Sequence, residues 1–160
     1  MKNHTFSELG VTLRVPDDWA FFSSGNGPPA AGADAAFYAP AEHGYRSSVV
    51  LSKDSLSPST PQRFEECIAG LRASMQESPD ITVIRDGRAD QNSMPAWILR
   101  YSRTHSDHPH SFEQLLVLLV TDMVRGSMLQ IDASTISPLA DRHLPVLMQI
   151  LNSLAPDGSS

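Results

Sequence analysis

The stretch Ser111-Phe112-Glu113-Gln114-Leu115-Leu116-Val117-Leu118-Leu119-Val120-Thr121 reads as a β-strand, and its pattern dictates what must surround it. Successive side chains in a strand point to opposite faces. Phe112, Gln114, Leu116, Leu118 and Val120 therefore share one face, and Glu113, Leu115, Val117, Leu119 and Thr121 the other. Both faces are apolar in the second half. Such a strand has to be covered on both sides, by helices or by another layer. The apolar run Leu115 to Val120 is far short of the ~20 residues that span a bilayer.

Working outward, the strand has predicted partners on each side. Met94-Pro95 opens one in which Trp97, Leu99 and Tyr101 share a face opposite Ala96, Ile98 and Arg100. Arg125-Gly126 turns the chain into another, Ser127 to Ile136, where Leu129, Ile131 and Ala133 share a face. Residues 95–136 thus predict a three-stranded meander, with His105 to His110 linking its first two strands. Upstream, Thr60 is a helix N-cap and Pro61 takes the first helical position, where a missing N–H costs nothing. Phe64, Cys67, Ile68, Leu71 and Met75 form the apolar stripe of that helix. Ile81 to Arg85 alternates as a strand, which Asp86-Gly87 is expected to end. Near the C-terminus, Leu139, His143, Leu147, Ile150, Leu151 and Leu154 make the buried stripe of a last helix, closed by Pro156-Asp157-Gly158.

Nearer the N-terminus, Phe6, Leu9, Val11, Leu13 and Val15 alternate with polar residues and predict two short strands broken at Leu9-Gly10. Pro16-Asp17-Asp18-Trp19 stops the second, and Trp19 with Phe21 and Phe22 is expected to plug the edge of the core. A mobile loop is expected over about 23–34, rich in Gly, Pro, Ser and Ala. Its Gly25, Gly27 and Gly32 lack the Lys-Ser/Thr that completes a phosphate-binding loop. Ala35 to Tyr38 and Ser47 to Leu51 are two further strands, and Asp54 to Pro61 is a linker. Loose ends are expected over about 1–4 and 156–160.

The chain of 160 residues and 17.5 kDa has the size of one domain, and a chain of that size buries roughly 70% of its unfolded surface. Its formal charge is −6 with scattered Lys and Arg, which makes nucleic acid and anionic membrane poor partners. The single Cys67 cannot form an internal disulfide, and Met1-Lys2-Asn3-His4-Thr5 lacks the apolar core of a signal peptide, so a cytoplasmic setting is expected.

No catalytic or cofactor motif stands out. His105, Asp107, His108 and His110 are the residues with metal-ligand chemistry, but a polar link between strands accounts for the same letters, and no metal is expected. Cys67 sits on an apolar helix stripe, where a free Cys behaves as a small hydrophobe. The neighbouring acids Asp17-Asp18 and Glu65-Glu66 point in different directions and read as solvated charge. His143 reads as an interior His with satisfied hydrogen bonds. The residues with apolar, adaptable contact area for a partner are Trp19, Met94, Trp97, Leu115, Val117, Leu119, Met123 and Met128.

The element order, together with Gly10-Val11-Thr12-Leu13-Arg14-Val15-Pro16-Asp17-Asp18-Trp19 and Met94-Pro95-Ala96-Trp97-Ile98-Leu99-Arg100-Tyr101, resembles the PsbP-like superfamily. That superfamily includes the Ran-binding nuclear import factor and the bacterial DcrB- and LpqN-like groups. The resemblance implies an α+β fold over 1–160 as a single domain. Its core would be an antiparallel sheet of about six or seven strands with helices packed on both faces, an α/β/α-like sandwich. It also implies binding rather than catalysis. The expected function is a non-enzymatic, chaperone-like or assembly module of bacterial type. It would bind a partner protein through a sheet face or edge, with a homodimer compatible and no cofactor required. The alternative is a small-ligand or metal-binding protein using the His105 to His110 loop or a pocket near Trp19 and Trp97.

Overall fold

The computed structural model describes residues 1–23 and 33–158. The loop expected over about 23–34 therefore falls largely outside the described residues, as do residues 159 and 160. In chain order the elements are β1 (Lys2–Phe6), β2 (Val11–Val15), β3 (Ala20–Ser23), β4 (Ala35–Tyr38), β5 (Ser48–Ser55), α1 (Pro61–Glu77), β6 (Ile81–Arg88), β7 (Ala96–Arg103), β8 (Phe112–Asp122), β9 (Ser127–Ile136), a short 3₁₀ turn (Ser137–Leu139), α2 (Ala140–Asn152) and β10 (Ala155–Pro156).

Two sheets result. Seven strands form an antiparallel sheet in the order β3-β4-β5-β9-β8-β7-β6, and three form a small sheet in the order β1-β2-β10. The meander read from the sequence is the centre of the large sheet: β8 pairs with β7 from Leu119 opposite Ala96 to Phe112 opposite Arg103, and with β9 from Phe112 opposite Ile136 onward. The two sets of residues on β8 feed two separate cores. Leu115, Val117 and Leu119 pack with Leu147, Ile150 and Leu151 of α2 and with Val11, Leu13 and Val15 of the small sheet. Leu116, Leu118 and Val120 pack with Phe64 and Ile68 of α1. The helices thus lie on opposite faces, and the N-terminal hairpin completes the α2 side.

The α1 start follows the sequence reading: Thr60 Oγ1 accepts the Arg63 N–H at 3.1 Å, with Pro61 in the first turn. Other boundaries differ for identifiable reasons. Residues 2–4, expected to be loose, are paired with Leu13 to Val15 in the β1–β2 hairpin. β6 runs through Asp86-Gly87 to Arg88, because Asp86 is held by Arg72 and Trp97 rather than bending the chain. The turn comes later, at Gln91 to Met94, where Asn92 and Ser93 take φ of 48° and 66°. Tyr38 is followed by a turn closed by the mutual Glu42 and Tyr45 backbone bonds, both 2.9 Å. The last helix ends at Asn152, and Ala155–Pro156 pairs with β2 as a third strand of the small sheet.

Candidate functional site

The structure gives most of the apolar residues with contact chemistry to the core. Leu115, Val117 and Leu119 are 2%, 4% and 0% exposed under α2 and the small sheet. Met94, Trp97 and Met128 are buried as well. The chain itself closes the surfaces these side chains were expected to offer. Only Trp19 and Met123 keep partial exposure, each lying against one of the two cores. Trp19 packs on the α2 side and Trp97 on the α1 side, so the two tryptophans do not share a pocket.

The His105 to His110 link folds as a turn, with the His108 N–H donating to the His105 carbonyl at 3.2 Å. Its rings gather on Phe112 instead of converging on a common point: His105 and His108 lie 5.2 and 4.7 Å from that ring, centre to centre. His108 Nδ1 is occupied by the His110 N–H at 3.2 Å. Among the described residues no set of three His, Cys, Asp or Glu side chains is arranged to hold a metal ion.

His143 on α2 joins a Ser and a Glu that are remote in sequence. Its Nδ1 is 2.6 Å from Ser47 Oγ and its Nε2 is 2.6 Å from Glu42 Oε2. The composition is that of a hydrolase triad, but the placement is not. Ser47 is 0% exposed, and its hydroxyl donates to Thr135 Oγ1 at 2.8 Å, so no substrate carbonyl can reach it. The set acts as a clip. Arg142 donates to Glu42 Oε1 at 2.9 Å, and this bond, with the one to His143, holds the Glu42 carboxyl below its usual range. It fastens the turn before β5 to α2, in line with an interior His whose bonds are satisfied.

A different surface has the features of a binding site. On β5 and β9 the residues facing α2 are dry: Val49, Leu51, Ile131 and Ala133 are 0% exposed. Their alternates Ser48, Val50, Ser52, Gln130 and Asp132 face the other way and remain half-exposed, because the α1 core covers the β6-β7-β8 side of that face and reaches β9 at Met128. The register carries this open half outward through Tyr38 opposite Ser48 and Phe22 opposite Ala36. It ends on β8 at Phe112 and Gln114, just before the strand passes under α1.

There the open face deepens into a pocket of about 300 Å³ whose lining includes Tyr45, Ser48, Arg103, Phe112, Gln114 and Asp132. Its polar groups are incompletely paired. Tyr45 Oη and Ser134 Oγ bond each other at 2.8 Å, whereas the buried Gln114 Oε1 has no partner. Asp132 takes one hydrogen bond, from Gln130 Nε2 at 3.2 Å. Desolvation pushes its carboxyl above the ordinary aspartate range, only partly opposed by Gln130 and the Arg103 charge. A carboxylate left in such an environment is a mark of sites kept for binding rather than stability.

The raised carboxyl has a testable consequence. The folded chain holds the Asp132 proton more tightly than the unfolded chain does. Stability therefore falls as pH rises from the ordinary aspartate value through the raised one, and the full penalty applies above it. Asp132→Asn keeps the shape and cannot ionise. It is expected to melt a few degrees above the parent chain at about pH 8, with the gain vanishing near about pH 3. Thermal melts followed by circular dichroism across that range check this. A variant that melts lower at high pH would show that Asp132 is a net stabilising ion.

No family model matches the chain, and no curated protein matches it. Solved structures do. The solution structure of cyanobacterial PsbP (CyanoP) from Synechocystis aligns with a TM-score of 0.67 at 15% identity, over 97% of this chain and 91% of that one. LpqN, involved in cell envelope biogenesis of Mycobacterium tuberculosis, aligns with a TM-score of 0.62 at 17% identity, over 91% and 82%. A protein of unknown function from Pseudomonas aeruginosa, PA94, gives 0.56 at 19%, over 98% and 96%. The chain has a PsbP-like α+β fold, as its sequence resemblance implied.

Proposed function

We propose that the chain is a non-enzymatic accessory module that binds a partner protein across the open half of its large sheet. The observation that supports this most directly is the one-sided cover of β5 and β9: dry beneath α2, half-exposed on the other face. That face combines what a recognition surface needs, with Phe22, Tyr38, Val50 and Phe112 as partly exposed apolar ground around serines, glutamines and Asp132. An edge-strand mode is less favourable. β6 carries a bulge between Val83 and Arg85 and the charges of Arg85, Asp86 and Arg88, features that discourage added strands. LpqN, described as involved in cell envelope biogenesis, is a neighbour whose description fits an accessory module. A cytoplasmic setting belongs to the same proposal, on the lone Cys67.

A photo-crosslinking amino acid placed at Val50 tests it, with the same probe at the exposed Arg142 on the α2 side as the control. In cells of the source organism, adducts with one or a few proteins, a second copy of the chain included, are expected from position 50 and not from position 142. The same adduct pattern at both positions, or none at position 50, would abandon the open face as the partner's seat.

A further inference from the structure

We propose that the pocket at the β8 end of the open face binds a free α-amino acid, its carboxylate on Arg103 and its ammonium on Asp132. This goes beyond the partner-binding reading and does not depend on it. Arg103 and Asp132 line the same pocket, yet they form no ion pair with each other or with any other described residue. Arg103 instead lies over the Tyr101 ring, 5.9 Å from its centre. The two opposite charges thus face one cavity with their strongest bonds unmade.

The chemistry of the occupant follows by elimination. A neutral ligand would displace water from both charges and return no counter-charge, which is costly for each of them. A simple amine suits Asp132 but brings a positive charge toward Arg103, and a simple carboxylate has the converse fault. A zwitterion answers both. Arg donates to a carboxylate through a planar fork, and an ammonium group has three N–H donors to distribute. The walls are apolar where a side chain would rest: Phe112 has the Tyr45 ring at 5.7 Å and the His105 ring at 5.2 Å. A volume of about 300 Å³ admits a small ligand and little more.

The probe is each standard L-amino acid in turn, titrated into the ¹⁵N-labelled full chain to about 10 mM, a ceiling that detects millimolar binding. At least one is expected to shift the amide signals of Ser48, Gln114, Asp132 and Ser134 saturably. Its amide, lacking the carboxylate charge, and its N-acetyl form, lacking the ammonium, should each bind roughly tenfold or more weakly, the size of one lost charged contact. Arg103→Gln should reproduce the loss seen with the amide ligand, and Asp132→Asn, expected to be the more stable chain, the loss seen with the N-acetyl ligand. Because the analogues test each contact without altering the protein, a variant that fails to fold leaves the result intact. No saturable shift with any amino acid overturns the proposal, and so does equal binding of the amide or N-acetyl form.

Discussion

Gly126→Ala is expected to cost the fold about 2–5 kcal/mol, lowering Tm by about 5–15 °C. Gly126 sits in the β8–β9 hairpin with φ +71°, a left-handed conformation that a side chain disfavours by about 1–2 kcal/mol. Space is the larger obstacle. A Cβ built there would run into the Leu56 carbonyl oxygen and come within 3.1 Å of Ser59 Cβ. Neither can retreat easily, because the Leu56 N–H donates to the Gly126 carbonyl at 2.7 Å and Ser59 Oγ donates to the Met123 carbonyl. The hairpin is thereby locked to the segment leading into α1, and overpacking of this kind adds about 1–3 kcal/mol. The loss is large against a total stability of about 5–15 kcal/mol. Gly70→Ala is the control: it lies in α1 with nothing near the added methyl, so it should stabilise by about 0.5–1 kcal/mol. Equal melting temperatures for the two variants would show that the hairpin is not anchored in this way.

How much of this was legible before the fold was known depends on how local the cause is. The two-sided apolarity of Leu115 to Val120 is a property of one strand, so the demand for cover on both faces could be read directly. The Thr60-Pro61 helix start is equally local. β3 and β10 could not be read. Two residues are too few for a period to show in β10, the aromatics of Ala20 to Ser23 read as a plug after the Pro16 turn, and each is a strand only because a neighbour offers a ladder. Asp86-Gly87 has turn chemistry, but Arg72 and the Trp97 indole claim the carboxylate, and that claim depends on α1 lying over β7.

The candidate site shows the same division. The Ser47, Glu42 and His143 clip joins residues about a hundred apart, a distance no local pattern bridges. For the open face a partial signal existed. Phe112 and Gln114 begin the strand on the face that later carries Leu116, Leu118 and Val120, and on β9 Gln130, Asp132 and Ser134 alternate with Leu129, Ile131 and Ala133. A polar row of that kind marks a strand face left without apolar cover. What decides that it faces a cavity is where α1 stops covering the sheet, which is a matter of tertiary packing. Met94, Trp97, Leu115, Val117, Leu119 and Met128 are no surface for a partner for the converse reason: strong contact chemistry in a chain of this size is first used by its own core.

Trp97→Ala carries that point to a measurement, with an expected loss of about 3–5 kcal/mol. A tryptophan offered to a partner would tolerate the change with little effect on the isolated chain. Trp97 is 1% exposed, packed among Phe64, Ile68 and Leu118, with Arg72 over its ring at 6.0 Å. Its Nε1–H donates to Asp86 Oδ2 at 2.9 Å, and that bond, ahead of the two from Arg72, holds the Asp86 carboxyl below its usual range. A depressed carboxyl contributes stability that is present above the ordinary aspartate value and lost as pH falls through the folded one. Trp97→Phe removes the indole N–H while keeping an aromatic ring, so its deficit should be largest near neutral pH and shrink on acidification. Urea unfolding of parent, Trp97→Ala and Trp97→Phe at about pH 7 and about pH 3 separates the packing loss, which persists in acid, from the Asp86 bond, which does not. A Trp97→Ala chain as stable as the parent would return this residue to the surface and reopen it to a partner.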